Sequence, residues 1–327
     1  MSTNLPLTIA CRAYDRIAAL RDGSIQAEGI DLRIIPLVVE ETFWRQLHHV
    51  EFDASELSFS SYTISRSRGN LPLLAIPVFP SRYFRHSCIF VNPERIKKPE
   101  DMKGKRIGVP EYQMTAAVWI RGMLADDYGV QPRDVAWFSG GVMQPGREEK
   151  LPLELPSHTS LTPVKDRSLN DMLLTGDLDG YIGARVPGAY EDGKVVRLFP
   201  DYENVEADYY RRTKVFPIMH VLAIKEAVLK DNPWVAMSLF KAFRQAKDRC
   251  LEEMRDSSAL QYSLPWMWPS LERARAAMGD DVWPYGIQAS RAALDKFVEY
   301  MDAQSLTKRP MKVEELFAAS TQDEFKI

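Results

Sequence analysis

The chain is poor in cysteine, has no long apolar run and carries no strong excess of either charge. Only three of its 327 residues are cysteines, and Cys11, Cys88 and Cys250 lie far apart. An odd number of distant cysteines indicates neither a disulfide framework nor a zinc knuckle. The net charge of −3 and the pI near 6.0 argue against nucleic acid as a partner. No apolar run approaches the roughly 20 residues that cross a bilayer, so we expect no membrane partner.

Several signature motifs of enzymes are also absent. The sequence contains no HExxH, GxSxG, Walker A or GxGxxG motif, which argues against zinc proteases, serine hydrolases, kinases and Rossmann dehydrogenases. The first residues, MSTNLPLTIACRAYDR, lack a basic segment followed by a long apolar one. We therefore expect no secretory signal and a cytoplasmic location.

What is present is an alternation of strand-like and helix-like segments. Strands are predicted at 7–10, 30–39, 73–78, 106–109 and 135–138, and helices at 41–47, 115–128 and 233–254. A loop rich in proline, serine and charge is predicted over residues 144–168. Such alternation predicts an α/β fold with parallel sheets.

The order of these segments predicts two lobes. Residues 1–91 and 216–327 form lobe 1 with the C-terminal helices, and residues 92–215 form an inserted lobe 2. Apolar strands near 86–91 and 216–224 are the expected crossovers. A cleft between two such lobes is a natural ligand site, so we expect the ligand there.

The stretch LLAIPVFPSRYFRHSCIFV, residues 73–91, places three basic side chains between two apolar runs. Arg82 and Arg85 offer forked donors that match carboxylates, and His86 can move a proton near neutral pH. The structural alternative is a solvated basic turn.

Two predicted junctions between a strand and a helix have polar side chains. Ser60, Ser61 and Tyr62 occupy the first, and Glu111 and Thr115 the second. Backbone N–H groups at the start of a helix favour an anion, and the hydroxyls can add to that site. Ordinary capping by serine or threonine is the structural alternative, and the helix dipole alone would favour Glu111 at the second junction.

Further candidates lie at predicted strand positions. His220 falls inside the apolar run FPIMHVLAI, where it is either a core histidine or a side chain that faces the cleft. Arg12 and Arg185 follow strands at their carboxyl ends, where α/β proteins bind ligands.

Five long motifs together resemble the 4,5-dihydroxyphthalate decarboxylase family, which has the type II periplasmic-binding-protein fold. The motifs are FDASELSFSSY, AIPVFPSRYFRHSCIFVN, DMKGKRIGVPEYQMTAAVWIRGML, GDLDGYIGA and TKVFPIMHVLAI. The resemblance runs from about residue 7 to the helix near residue 250 and is weaker beyond it. It implies the loss of one carboxylate from 4,5-dihydroxyphthalate to give protocatechuate.

This chemistry suits the candidate residues. Arg82 and Arg85 would hold the two adjacent carboxylates of the substrate. A general acid and a base are needed, with His86 and His220 as first candidates and Glu56 and Glu111 as further ones. No cofactor is predicted, whereas a divalent metal and a homo-oligomer both stay open.

Two function classes remain open at this point. The first is a decarboxylase that acts on a small aromatic carboxylate. The second is a solute-binding protein of an ABC transporter for an aromatic or other organic carboxylate. The missing secretory signal and the position of His86 beside two arginines favour the enzyme.

Overall fold

A computed structural model describes residues 4–322, and the predicted lobe 1 begins and ends just outside this range. The chain divides into two compact units. Unit 1 contains the residues up to Arg82, Tyr210–Asp295, and those from Met311 onward. Unit 2 contains Tyr83–Tyr209 and Lys296–Pro310. Residues 296–310 therefore lie in unit 2, whereas the sequence-based division assigned them to lobe 1.

Unit 1 is built on a five-stranded sheet. Its strands are β1 (Leu5–Cys11), β2 (Ile30–Pro36), β3 (Ala54–Ser58), β4 (Leu73–Arg82) and β11 (Ile218–Lys225). The order across the sheet is β2-β1-β3-β11-β4. β1 pairs in parallel with β2 and β3, whereas β11 is antiparallel to both of its neighbours.

Unit 2 has a sheet of its own with six short strands. They are β5 (Ile89–Val91), β6 (Arg106–Val109), β7 (Ala136–Ser139), β8 (Leu161–Pro163), β9 (Gly180–Ile182) and β10 (Val196–Arg197). The order is β10-β5-β9-β6-β7-β8, with β5 antiparallel to β9 and β10. A core of apolar side chains, including Leu169, Leu178 and Tyr181, packs in this unit.

The helices follow the strands closely in sequence. They are α1 (Ala18–Arg21), α2 (Val39–His49), α3 (Phe59–Arg68), α4 (Thr115–Tyr128), α5 (Leu169–Leu174), α6 (Gly188–Glu191), α7 (Tyr202–Thr213), α8 (Glu226–Asp231), α9 (Val235–Glu253), α10 (Met267–Met278) and α11 (Arg291–Ala303). Gly69 and Gly129 end α3 and α4 in the left-handed conformation, at φ of 67° and 64°. Glycine adopts this conformation without steric cost.

The α/β class and the C-terminal helices predicted from the sequence are confirmed, but the expectation of purely parallel sheets is wrong. β11 and β5 run against their neighbours. A helical crossover enforces parallel pairing, and β11 is reached from β4 through residues 83–209 of unit 2 instead. Two local predictions also change, because residues 86–88 form a 3-10 helix and the predicted loop at 144–168 contains β8.

Candidate functional site

Polar side chains gather at one edge of the unit 1 sheet. Arg12 follows β1 directly, Ser58 ends β3, and His220 lies near the start of the antiparallel strand β11. Because β11 runs in the opposite direction, its start lies beside the carboxyl ends of the parallel strands. Ligands of open α/β sheets bind at this edge.

The pairing of β3 with β11 places three of these side chains on one face. His220 lies opposite Ser58, and Leu222 lies opposite Glu56. Side chains of directly opposed residues share a face, and so do residues two apart on one strand. Glu56, Ser58 and His220 therefore point to the same side of the sheet. The register of β11 against β4 shifts on both sides of His220, an irregularity that is common next to functional sites.

Glu56 is fully buried and accepts hydrogen bonds from four groups. His220 Nδ1 and the Tyr14 hydroxyl each lie 2.6 Å from Oε1. The Arg12 backbone N–H and the Cys11 thiol lie 3.0 and 3.5 Å from Oε2. A buried carboxylate needs such donors, and here both of its oxygens are satisfied.

These contacts keep the carboxylate ionised. Burial would raise the pKa of Glu56, but the charge and hydrogen bond of His220 and the donors from Tyr14 and Arg12 outweigh it and lower the pKa below its ordinary value. Burial and the nearby Glu56 charge raise the pKa of the Tyr14 hydroxyl and of the Cys11 thiol. Both groups therefore remain protonated and act as donors.

His220 is held by its Nδ1 atom. The Phe43 ring packs edge-on against the imidazole with the ring centroids 4.9 Å apart. The histidine side chain is 16% exposed, whereas Glu56 is not exposed at all. A ring whose Nδ1 binds a carboxylate presents Nε2 on its other side, which is the arrangement of a histidine that transfers protons.

The predicted serine cluster lies at the start of α3, next to this pair. Ser58 Oγ lies 3.2 Å from Ser60 Oγ and 3.3 Å from Ser61 Oγ. Tyr62 is placed differently: its hydroxyl donates to Leu316 O and accepts from the Ala75 N–H, at 2.7 and 2.9 Å. This geometry favours a structural role for Tyr62 over the predicted substrate contact.

Arg82 is also held by the protein itself. Its guanidinium donates to Phe216 O, Pro284 O and Ser290 Oγ at 2.8, 2.7 and 2.6 Å. Burial lowers its pKa to about 9. Because three donors are already used by groups of unit 1, the geometry does not favour the predicted carboxylate fork. Arg82 belongs to unit 1 and Arg85 to unit 2.

In unit 2, Arg85 and His86 are both buried. Arg85 stacks over the Tyr83 ring at 4.6 Å and donates to Cys88 Sγ at 3.5 Å. His86 lies edge-on against the Phe199 and Tyr209 rings, with centroids 5.3 and 5.2 Å away. Its Nδ1 is 4.0 Å from Glu206, too far for a direct hydrogen bond. The corresponding distance from His220 Nδ1 to Glu56 is 2.6 Å.

The remaining unit 2 candidates lie near its carboxyl edge. Glu111 follows β6 and forms ion pairs with Arg147, at 2.6 Å, and with Lys150. Thr115 is the first residue of α4 and is buried, while Arg185 is exposed after β9. Glu111 is held by two cations of the long loop, whereas Glu56 contacts the candidate proton donor His220, so Glu111 is a weaker candidate than Glu56.

The sequence did not single out Tyr14 or Glu149. Glu149 comes from the long loop and accepts the backbone N–H groups of Tyr112 and Gln113, the latter at 3.2 Å. Burial, together with the charge of Glu111, raises the pKa of Glu149 to about 7 against the opposing effect of these donors. The available signal for Tyr14 was its position, as a polar residue shortly after the end of a predicted strand. Nothing in the sequence indicated Glu149.

Residues 4–322 contain no group of three or more histidine, cysteine or acidic side chains arranged to hold a metal ion. No helix in the same range is long and apolar enough to cross a bilayer.

The two units, each with its own mixed sheet, give the chain a periplasmic-binding-protein-like fold. The periplasmic aliphatic sulphonate-binding protein SsuA of Escherichia coli matches 97% of this chain and 99% of its own, with a TM-score of 0.53 and 10% identity. A ligand-binding component of an ABC-type import system from Staphylococcus aureus, solved with zinc bound, gives a TM-score of 0.51 at 12% identity over 98% of both chains. These similarities show the fold alone.

Sequence similarity to known proteins identifies the family as well as the fold. A 4,5-dihydroxyphthalate decarboxylase of Comamonas testosteroni is 40% identical over 99% of this chain and 100% of its own length. A protein of the same name from Pseudomonas putida is 43% identical over 63% of this chain and 82% of its own length. The chain belongs to the 4,5-dihydroxyphthalate decarboxylase family, which confirms the resemblance stated from the motifs. No protein-family profile matches the chain.

Proposed function

We propose that this protein is a carboxy-lyase that converts 4,5-dihydroxyphthalate to protocatechuate and CO2. Membership of the family supports the reaction. The observation that supports a chemical role for the site is the contact of 2.6 Å between buried Glu56 and His220 Nδ1. The solute-binding alternative has only the fold in its favour, because the two transport proteins compared above share 10% and 12% of their residues with this chain.

The substrate itself supplies the electrons for the reaction. Each carboxylate is para to one hydroxyl, and removal of that hydroxyl proton pushes an electron pair towards the carbon that bears the carboxylate. This carbon takes up a proton and becomes tetrahedral in a dienone-like intermediate. The bond to the carboxylate then breaks, CO2 leaves, and its electron pair restores the aromatic ring and the phenolate.

We assign the proton donor for the ring carbon to His220. A ring carbon is a weak base, so it needs a strong acid such as imidazolium. The ionised Glu56 stabilises a positive charge on His220 and fixes Nδ1, which directs Nε2 towards the substrate. His86 remains the alternative, with its Nδ1 4.0 Å from Glu206, compared with 2.6 Å between His220 Nδ1 and Glu56.

Binding of the substrate carboxylates is assigned to the groups near this histidine. Arg12 is exposed at the end of β1, and Ser60 and Ser61 lie in the first turn of α3, with their hydroxyls beside that of Ser58. Arg85, Thr115 and Arg185 stay predictions as substrate contacts from unit 2. The cytoplasmic location and the homo-oligomer also stay predictions.

Incubation of the purified protein with 4,5-dihydroxyphthalate tests the proposal by release of CO2. Solvent deuterium should appear at the ring position that lost the carboxylate, because the proton on that carbon comes from water through the enzyme. Phthalate without hydroxyls is the matched control, since it has no para oxygen to supply electrons and should release no CO2. Tight binding of the hydroxylated substrate without CO2 release, with and without added divalent metal, would instead support a solute-binding protein.

A further inference from the structure

Residues 11–14, at the end of β1 and just after it, surround one carboxylate. Cys11, Arg12 and Tyr14 each give a donor to Glu56, from the thiol, the backbone N–H and the phenol. The Tyr14 hydroxyl and His220 Nδ1 share the same oxygen, Oε1, while the other two donors bind Oε2. Tyr14 is therefore the side chain that competes directly with His220 for the carboxylate.

The Tyr14 ring is fixed in place by its surroundings. The Arg16 guanidinium lies 4.1 Å from the centre of the Tyr14 ring and 4.2 Å from that of Trp283. Arg16 is itself held, because its Nε donates to Pro80 O at 2.7 Å and its Nη1 pairs with Asp15 at 2.9 Å. Trp283 donates to Phe79 O at 3.0 Å. The phenol is thus pre-organised to point at Glu56.

We propose that Tyr14 is a positioning residue that keeps the mobile proton on His220 rather than on Glu56. This inference rests on the proposed function for its catalytic consequence. A carboxylate that already accepts a short hydrogen bond from a phenol is a weaker base. Glu56 therefore stabilises the imidazolium without taking its Nδ1 proton, and His220 remains a strong enough acid to protonate a ring carbon.

The other charged or titratable groups near the phenol do not replace it. Cys11 is a weak donor at 3.5 Å and binds the opposite oxygen. Arg16 faces the ring of Tyr14 and hydrogen-bonds Pro80 and Asp15. Arg12 reaches Glu56 through its backbone N–H, on Oε2. Within the described residues, Tyr14 is thus the one neutral side chain with a short hydrogen bond to the oxygen that binds His220.

Substitution Tyr14→Phe removes the hydroxyl and keeps the ring beneath Arg16. The first readout is the His220 Nδ1–H resonance in protein labelled with 15N-histidine, which does not depend on activity. We expect this resonance to move downfield, because Glu56 then accepts at Oε1 from His220 alone. Incorporation of 3-fluorotyrosine at position 14 gives a stronger donor without loss of volume, and it should move the resonance upfield.

The second readout is the pH dependence of kcat. Without Tyr14, Glu56 is a stronger base that draws the Nδ1 proton towards itself, so the Glu56–His220 pair keeps its proton to higher pH. The alkaline limb of the profile should then move up by about one pH unit and kcat should fall about tenfold. Tyr262→Phe is the matched control, since it removes a phenol that pairs with Cys250 in the same unit. This control should change neither the His220 Nδ1–H resonance nor the alkaline limb of the pH profile of kcat.

The outcomes separate this proposal from the proposed function. If the wild-type protein releases no CO2 but the His220 resonance moves as expected in Tyr14→Phe, the proposed decarboxylase function is wrong and the positioning role of Tyr14 is supported. If Tyr14→Phe lowers kcat and the melting temperature while the limb and the resonance stay in place, Tyr14 is merely structural and the proposal is refuted. An Nδ1–H resonance that does not respond to 3-fluorotyrosine at position 14 would refute it as well.

Discussion

The loop carboxylate Glu149 should make the stability of the protein depend on pH in an unusual direction. Burial raises its pKa from 4.5 to about 7 in the folded protein. Between these two values the folded state holds a proton that the unfolded state has lost. The free energy of unfolding therefore falls as pH rises from about 4.5 to about 7. Above about pH 7 this loss of stability no longer changes with pH.

The size of the effect follows from the shift in pKa. A shift of about 2.5 units at about 1.36 kcal/mol per unit amounts to roughly 3 kcal/mol at pH 8. Glu149→Gln removes the charge, and its single amide oxygen can accept from only one of the backbone N–H groups of Tyr112 and Gln113, which bind different oxygens of the carboxylate. The cost of the lost hydrogen bond is the same at every pH, so the stability of the variant relative to the wild type should rise by up to about 3 kcal/mol between pH 4.5 and pH 8.

Denaturant unfolding of both proteins between pH 4.5 and 8 measures this difference directly. Glu148→Gln is the matched control, because that side chain is 76% exposed and its ion pair with Lys165 is equally exposed. It should show a difference near zero at every pH. A Glu149→Gln variant whose stability relative to the wild type does not rise between pH 4.5 and pH 8 would refute the reasoning.

Three further predictions concern the arginines. Arg82→Ala should lower the free energy of unfolding by about 3 kcal/mol in denaturant unfolding, because it leaves three buried acceptors without their donor. A raised KM with unchanged stability would instead support binding of a substrate carboxylate by Arg82. Arg12→Ala should raise KM about tenfold with little change in melting temperature, since the side chain is exposed; an unchanged KM would remove it from the site. Arg185→Ala should behave in the same way if it binds substrate from unit 2, and Arg185→Lys should restore only part of the affinity because an ammonium lacks the planar fork.

The local elements could be predicted well because local signals specify them. The helix Thr115–Tyr128 and the strand Arg106–Val109 have the predicted bounds, and the glycine that ends the helix was the clearest signal. The direction of β11 could not be predicted, because its partners are set by pairing over more than 130 residues of chain.

The sequence indicated single residues of the candidate site but not their spatial arrangement. Glu56 and His220 were both candidates, yet they lie 164 positions apart and meet only through the pairing of β3 with β11. Tyr14 carries no motif, and its role arises from the turn after β1. Arg82 and Arg85 lie three positions apart in the sequence and looked equivalent, but the acceptors around Arg82 come from residues 216–290, which no local pattern reveals.

The central claim is that His220, held by Glu56, protonates the substrate. The most direct measurement compares CO2 release from 4,5-dihydroxyphthalate by the wild type, His220→Asn, His86→Asn and the exposed control His48→Asn. We predict that His220→Asn lowers kcat by about 10²–10⁴-fold with a much smaller change in substrate affinity, whereas His48→Asn keeps wild-type turnover. A His220→Asn variant that turns over at the wild-type rate, while His86→Asn loses activity, would contradict the account.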